Sequence, residues 1–286
     1  MKVGQYIWKN SMLKIFNSKM ATFLVVLMVI SWSYTQPLLR FVRAVDYPVN
    51  WCLFPFILCK YSFLILFWFG IIYIHSDVPF MQHVQMYHIL RIGRKKWAVG
   101  QIGGIICRSV TAVFLTAVCT VLPVITRMEW TNQWGKLLRT AAMTDAAVQY
   151  GFEYIFYYEI FAEYTPLELM LLTVLLCSMI AAFIGIFMFL VCLYANWIVA
   201  VSGAAAICLL LFAVLNMHPK IRIILARVVP PVWANIARIK TADYGYYWLP
   251  SIPYMFGFLT IGITCMTVII LMKVKKVEFN WENDDM

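Results

Sequence analysis

The amino-acid sequence predicts an all-α integral membrane protein with six transmembrane helices, and three observations lead there. First, 63% of the side chains are hydrophobic and 13% charged, with a mean hydropathy of +0.81. That is too little charge to cover a water-soluble globule of 286 residues, which would expose larger apolar patches than soluble domains carry. Second, six segments are long and apolar enough for a helix rising about 1.5 Å per residue to cross a hydrocarbon core about 30 Å thick: about 20–36, 55–74, 98–125, 167–193, 197–215 and 250–272. Third, basic residues and tryptophans gather at the ends of these segments. That is the pattern of membrane anchoring, not of a basic stripe for nucleic acid.

Lys2, Lys9, Lys14 and Lys19 precede the first span without a small-residue cleavage site, so the segment reads as retained and not as a signal peptide. Within it Trp8, Met12, Ile15 and Phe16 share one helical face, opposite Asn10, Lys14, Asn17 and Ser18. Either a helix lying in the interface or a simple basic anchor fits this spacing. Between the second and third spans, Asp77 precedes Val78 and Pro79 as an N-cap precedes a helix start, and Gly93 marks a stop. A short helix over about 78–92 follows. Its mixed face sets Met86, Tyr87, Ile89 and Leu90 beside Gln82, His83, Gln85 and His88. It suits docking on another protein or resting on headgroups.

The outer loop after the third span has Trp130 and Trp134 leading a helical stretch. Tyr150, Phe152, Tyr154, Phe156, Tyr157, Tyr158, Phe161 and Tyr164 then crowd around Glu153, Glu159 and Glu163. Two readings are open: a surface for a cationic amphipathic ligand, or aromatics that seat the loop at the outer interface. No Asp, Glu, Lys, Arg or His occurs between Leu169 and Met217, a stretch too long for one crossing, so a hairpin with its turn at Tyr194, Ala195 and Asn196 is expected. The last outer loop reads as two short helices broken at Pro230 and Pro231. It can dip into the membrane only if packed against protein, because lipid cannot satisfy a broken backbone. With no soluble segment of domain size, residues 1–286 form a single transmembrane domain. Lys273, Lys275 and Lys276 abut the last span, and Arg94, Lys95 and Lys96 the third. This puts both termini on the cytoplasmic side.

The chemistry-bearing residues are sparse. Seven of the eight cysteines fall in apolar stretches and none forms a CxxC pair, so they read as small hydrophobes and no metal site is expected. No GxxxxGK[ST], HExxH or GxSxG motif occurs, so no catalytic residue is assigned and the chain is not expected to act as an enzyme by itself. Arg108 lies deep in the third span, Lys60 near the outer end of the second and Glu168 at the outer start of the fourth. These three are the candidates for a substrate path. Gly100 and Gly104 form a small-xxx-small pair, a signal for helix contact or dimerisation.

A segment ahead of the first span, a short helix after the second, six spans and a re-entrant pair before the last resemble the permease subunits of ATP-binding cassette transporters of the type-2 export family. The likeness covers essentially the whole chain. The run Ile89-Leu90-Arg91-Ile92-Gly93-Arg94-Lys95-Lys96-Trp97 is similar to what short permeases of this kind carry there. The outer loop from Arg127 to Thr165 departs from the pattern, being longer and more aromatic. The resemblance implies a plasma-membrane exporter whose energy comes from a separate phosphate-loop ATPase, present in two copies. A second permease, identical or different, would complete the unit. ATP and Mg would sit on the partner ATPase, with no cofactor on this chain and no nucleic-acid partner. It also implies a coupling role for Gln85, Met86, Tyr87, His88, Ile89, Leu90, Arg91, Ile92, Gly93 and Arg94. The alternative is a six-span secondary carrier working without an ATPase, which calls for symmetric halves and midplane charges. The halves here show no evident symmetry. A membrane-embedded enzyme is a third class, for which no constellation stands out.

Overall fold

The computed structural model describes residues 17–77, 89, 92–243 and 245–274. The helix expected at the N-terminus and most of the one expected over 78–92 lie outside these residues. Among the described residues the chain is almost wholly helical. Helices are α1 (Ser18–Val45), α2 (Phe54–Ile57), α3 (Tyr61–His75), α4 (Arg94–Val121), α5 (Lys136–Met143), α6 (Ala146–Gln149), α7 (Tyr158–Glu163), α8 (Pro166–Tyr194), α9 (Trp197–Asn216), α10 (Pro219–Ala226) and α11 (Ile252–Lys273). Two two-residue strands, β1 (Val49–Asn50) and β2 (Met128–Glu129), pair in parallel.

Five helices are long and apolar enough to cross a membrane: α1, α4 with its 3-10 extension to Arg127, α8, α9 and α11. The protein is therefore a helical, membrane-embedded one. The expected second span differs from the others. The continuous helix expected over 55–74 is broken at Leu58–Lys60, leaving the single turn of α2 and the 15 residues of α3, about 22 Å of helix. A continuous helix would trap the Lys60 ammonium between buried Phe56 and Phe63. The break lets it reach Glu153 at 2.8 Å and the face of Tyr34. Helix α1 also exceeds its expected end at residue 36, continuing through Pro37 to Val45. A proline forfeits one helical bond, and burial of Leu38, Leu39, Phe41 and Val42 offsets it.

The turn expected at 194–196 is where α8 stops and α9 starts, with the Asn196 side chain accepting from the Val199 N–H at 2.9 Å. At its other end α8 starts at a capping box. Thr165 Oγ1 accepts from the Glu168 N–H, and the Glu168 carboxylate accepts from the Thr165 N–H. Thr165→Ala is expected to cost about 1 kcal/mol, read as a lower thermal midpoint in detergent. Helix α8 is the hub of the bundle, packing against α4, α9, α11 and α3. Gly70 of α3 lies directly under the Phe23 ring of α1, and Gly185 of α8 lies against Ile105 and His75. Gly100 and Gly104 are both buried within the chain, so that pair serves packing inside the bundle instead of facing outward.

The last outer loop departs from two α-helices. Only α10 is one; after it come 3-10 turns at Pro230–Ala234 and Ile236–Arg238. Consecutive prolines and Asn235 deny this stretch a run of α-helical bonds, yet Pro230–Ala237 is buried throughout. Side chains meet its backbone carbonyls: Trp68 Nε1 donates to Pro231 at 3.0 Å, Trp233 Nε1 to Ala226 at 2.6 Å and Asn235 Nδ2 to Val232 at 2.9 Å. This is the protein packing that such a broken segment requires.

The aromatic loop folds inward as a cap. Phe56 of α2 meets Trp134, Phe156 and Phe161 edge-on, with centroids 5.0 to 5.8 Å apart. Tyr154, Phe156 and Phe161 are buried, Tyr150, Phe152, Tyr157 and Tyr164 pack half-buried against the same core, and Tyr158 is exposed. Asn50 knits the cap to β1, donating to the carbonyls of Thr131 and Gln133 and accepting from the Cys52 N–H. Burial pushes the Cys52 thiol well above its ordinary pKa. The acids are engaged as well. Glu163 holds Lys240 at 3.0 Å and raises its pKa, and Asp243 binds Arg222 and Arg238, which both stack near Trp248.

Candidate functional site

The residues expected to carry function fall into separate regions. Lys60 precedes the first residue of α3, whereas Arg108 donates to the Ile74 carbonyl at 3.3 Å at the last turn of that helix. The two cations therefore sit at opposite ends of α3. Glu168 lies on the first turn of α8, while Ile105, one turn from Arg108, touches Gly185. Seventeen residues of helix put Glu168 about 25 Å from that level. Its carboxylate is engaged in the capping box. These three residues do not cluster in this arrangement.

A different constellation gathers at the end of the bundle opposite the cap. Lys19, on the first turn of α1, makes an ion pair with Asp77 and donates to Ser76 Oγ at 2.7 Å. Asn17 Nδ2 also donates to Asp77, at 3.3 Å. The residue at which the expected short helix begins is thereby tied to α1. One turn inward, Ser109 Oγ donates to the Ile105 carbonyl at 2.9 Å and lies 3.0 Å from His75 Nε2. A hydroxyl has one proton, so His75 carries its proton on Nε2 and donates. His75, Arg108 and Ser109 are all buried.

The other end of the same segment is seated too. Ile89 is 6% exposed and belongs to a small apolar cluster separate from the main core. The cluster's other buried members are Trp97, Ala98, Ile102 and Ile105 of α4, Ile186, Phe189 and Leu193 of α8, and Met266, Ile270 and Val274 at the end of α11. Trp97 meets Phe189 edge-on at 5.8 Å, and Ile92 packs against the rim. The Gly93 N–H donates to the Ile89 carbonyl at 2.8 Å, and Gly93 has φ 87. The stop expected at Gly93 is a left-handed residue, which glycine adopts freely and other residues resist. Arg94, Lys95 and Lys96 follow, exposed on the first turn of α4.

Gln85, Met86, Tyr87, His88, Leu90 and Arg91 lie outside the described residues. Ile89, Ile92, Gly93 and Arg94 lie within them, and the first two join the inner cluster. Sequence reading missed the Lys19–Asp77 pair and the His75–Ser109 bond. The available signal was that Asp77 is the only acid between Asp46 and Glu129. In the cap, a cleft of about 460 Å³ is lined by residues including Glu129, Trp134, Lys136, Arg139 and Tyr164. Among the described residues no group of three or more His, Cys, Asp or Glu could hold a metal ion.

No protein-family model, curated protein or solved structure matches this chain. At the end of the bundle opposite the cap, Asp77 is fastened to α1 and Ile89 is buried in the cluster that α4, α8 and α11 share.

Proposed function

We propose that the chain is the membrane-spanning permease subunit of an ATP-driven exporter, with energy supplied by a separate phosphate-loop ATPase. In this reading α2 and α3 together form the second of six spans, and α10 with the 3-10 turns forms the re-entrant pair. The plasma membrane houses it with both termini in the cytoplasm, and two ATPase copies and a second permease complete the unit. Substrate moves outward when nucleotide binds the two conformations of the ATPase pair unequally.

The observation that carries this reading is the double anchorage of the segment between Asp77 and Ile89. Its start is held to α1 through Lys19, and its end is seated among α4, α8 and α11. A push on such a segment reaches four membrane helices at once, which is the mechanical requirement for a lever worked from outside the bundle. The basic residues Arg94, Lys95 and Lys96 on the exposed start of α4 support reading this end as the cytoplasmic one, by the positive-inside preference.

The test is purification of the tagged chain from its native membrane under mild detergent. A phosphate-loop ATPase is expected to copurify, and Ile89→Asp is expected to lower substrate-stimulated ATP hydrolysis at least about tenfold, because it buries an unpaired carboxylate in the inner cluster. Transport by the purified chain in vesicles without nucleotide or a companion protein would overturn the reading.

A further inference from the structure

We propose that Asp77 is shared between two cations, Lys19 and Arg108, and that Arg108 is a positioning residue that holds Asp77 when Lys19 releases it. The purpose assigned to this exchange rests on the coupling reading above; its geometry does not.

The need for a second partner comes from Arg108. Its side chain is 1% exposed, one of its terminal nitrogens donates to the Ile74 carbonyl, and its Nε has no hydrogen-bond partner among the described residues. No carboxylate among the described residues lies within ion-pair distance of it. A guanidinium in the interior of a membrane bundle is costly unless an anion compensates it. The sequence offers few anions. Apart from Asp77, the acids are Asp46, six from Glu129 to Glu168, Asp243, and four at 278–285. Asp77 lies three residues beyond Ile74, whose carbonyl accepts from Arg108, less than one helical turn along the chain.

The pair that now holds Asp77 is easy to exchange. Lys19 and Asp77 keep 28% and 30% of their side chains exposed, so water screens their attraction. On release, Lys19 retains Ser76 Oγ and the nearby face of Tyr73. Arg108 gains far more from the carboxylate than Lys19 loses, because it is the desolvated partner. What opposes the transfer is the backbone. Asp77 must turn inward from α1 toward α4, so it has two positions, one on each helix.

Hydrogen–deuterium exchange of amides 77–93 tests this, using the purified full-length chain in lipid nanodiscs with no ATPase present. If either cation can hold Asp77, Lys19→Gln alone accelerates exchange less than about threefold, as does Arg108→Gln alone. The double variant and Asp77→Asn each accelerate it about tenfold or more, a non-additive cycle. Arg108→Lys in the Lys19→Gln background is expected to restore protection, which an uncharged packing role could not do. If Lys19→Gln alone releases the segment as fully as Asp77→Asn, or if the two single effects simply multiply, the proposal is overturned. Lys19→Gln leaves the buried residue untouched, so it decides the matter even if Arg108→Gln does not fold. Failure to copurify an ATPase would remove the exporter reading while leaving this cycle intact, so the two outcomes are separable.

Discussion

Gly185→Val is expected to destabilise the bundle by about 1–3 kcal/mol and, under the proposed exporter role, to abolish coupling to the ATPase. A β-carbon at Gly185 would lie 2.6 Å from Ile105 Cγ2 and 3.1 Å from two ring carbons of His75. Both neighbours are fully buried, and neither is the loose end of a flexible chain, so α4 and α8 must separate. The same movement parts His75 from Ser109 and disturbs the bond from Arg108 to Ile74. Thermal unfolding in detergent measures the first effect, and substrate-stimulated ATP hydrolysis by the reconstituted complex measures the second. Gly203→Ala is the control. Its new carbon would meet only the Phe187 ring, at 3.5 Å, an ordinary contact. With helix propensity in its favour, it is expected to be neutral or slightly stabilising. Equal losses in the two variants would show that the close approach at Gly185 does not matter.

Trp68→Ala is expected to have the largest cost of any single substitution, about 3–5 kcal/mol. Trp68 is 1% exposed, meets Phe67 edge-on at 4.8 Å and supplies the hydrogen bond to the Pro231 carbonyl. Its loss leaves a cavity and also strips a donor from a buried turn that cannot turn to lipid for a replacement. Trp68→Phe separates the two contributions by keeping most of the volume and removing the donor, and should cost about 1–3 kcal/mol. The expected signature is a lowered thermal midpoint in both variants, with faster hydrogen exchange confined to Pro219–Arg238 in the phenylalanine variant. Unchanged exchange there would show that the indole does not hold the segment.

How far the sequence could be read depended on the range of the interaction concerned. The helix ends at Tyr194 and Trp197 were legible, because an uncharged stretch twice the length of a crossing must turn and Asn196 is a capping residue. The positive φ of Gly93 is equally local, a conformation that glycine adopts freely. The break before α3 was not. Its cause is Glu153, which receives Lys60 from 93 positions away in the chain. The inward packing of the cap was not legible for a similar reason. A run of aromatics alternating with acids looks like a surface in one dimension, and only contact with Phe56 from α2 turns Phe156 and Phe161 inward. Of the candidate path residues, Glu168 could have been recognised as a helix cap from the Thr-x-x-Glu spacing alone.

The sequence by itself determined that the chain is helical and lives in a membrane. Hydropathy summed over about 20 residues is a local quantity, and no later contact can reverse its sign. Only the tertiary structure decided which charges meet. Lys19 finds Asp77 from 58 positions away, and Arg108 finds the carbonyl of Ile74 from 34. In a low-dielectric bundle a few ångströms decide whether a charge is compensated or stranded. Those ångströms are set by where glycines let helices approach, not by any pattern along the chain.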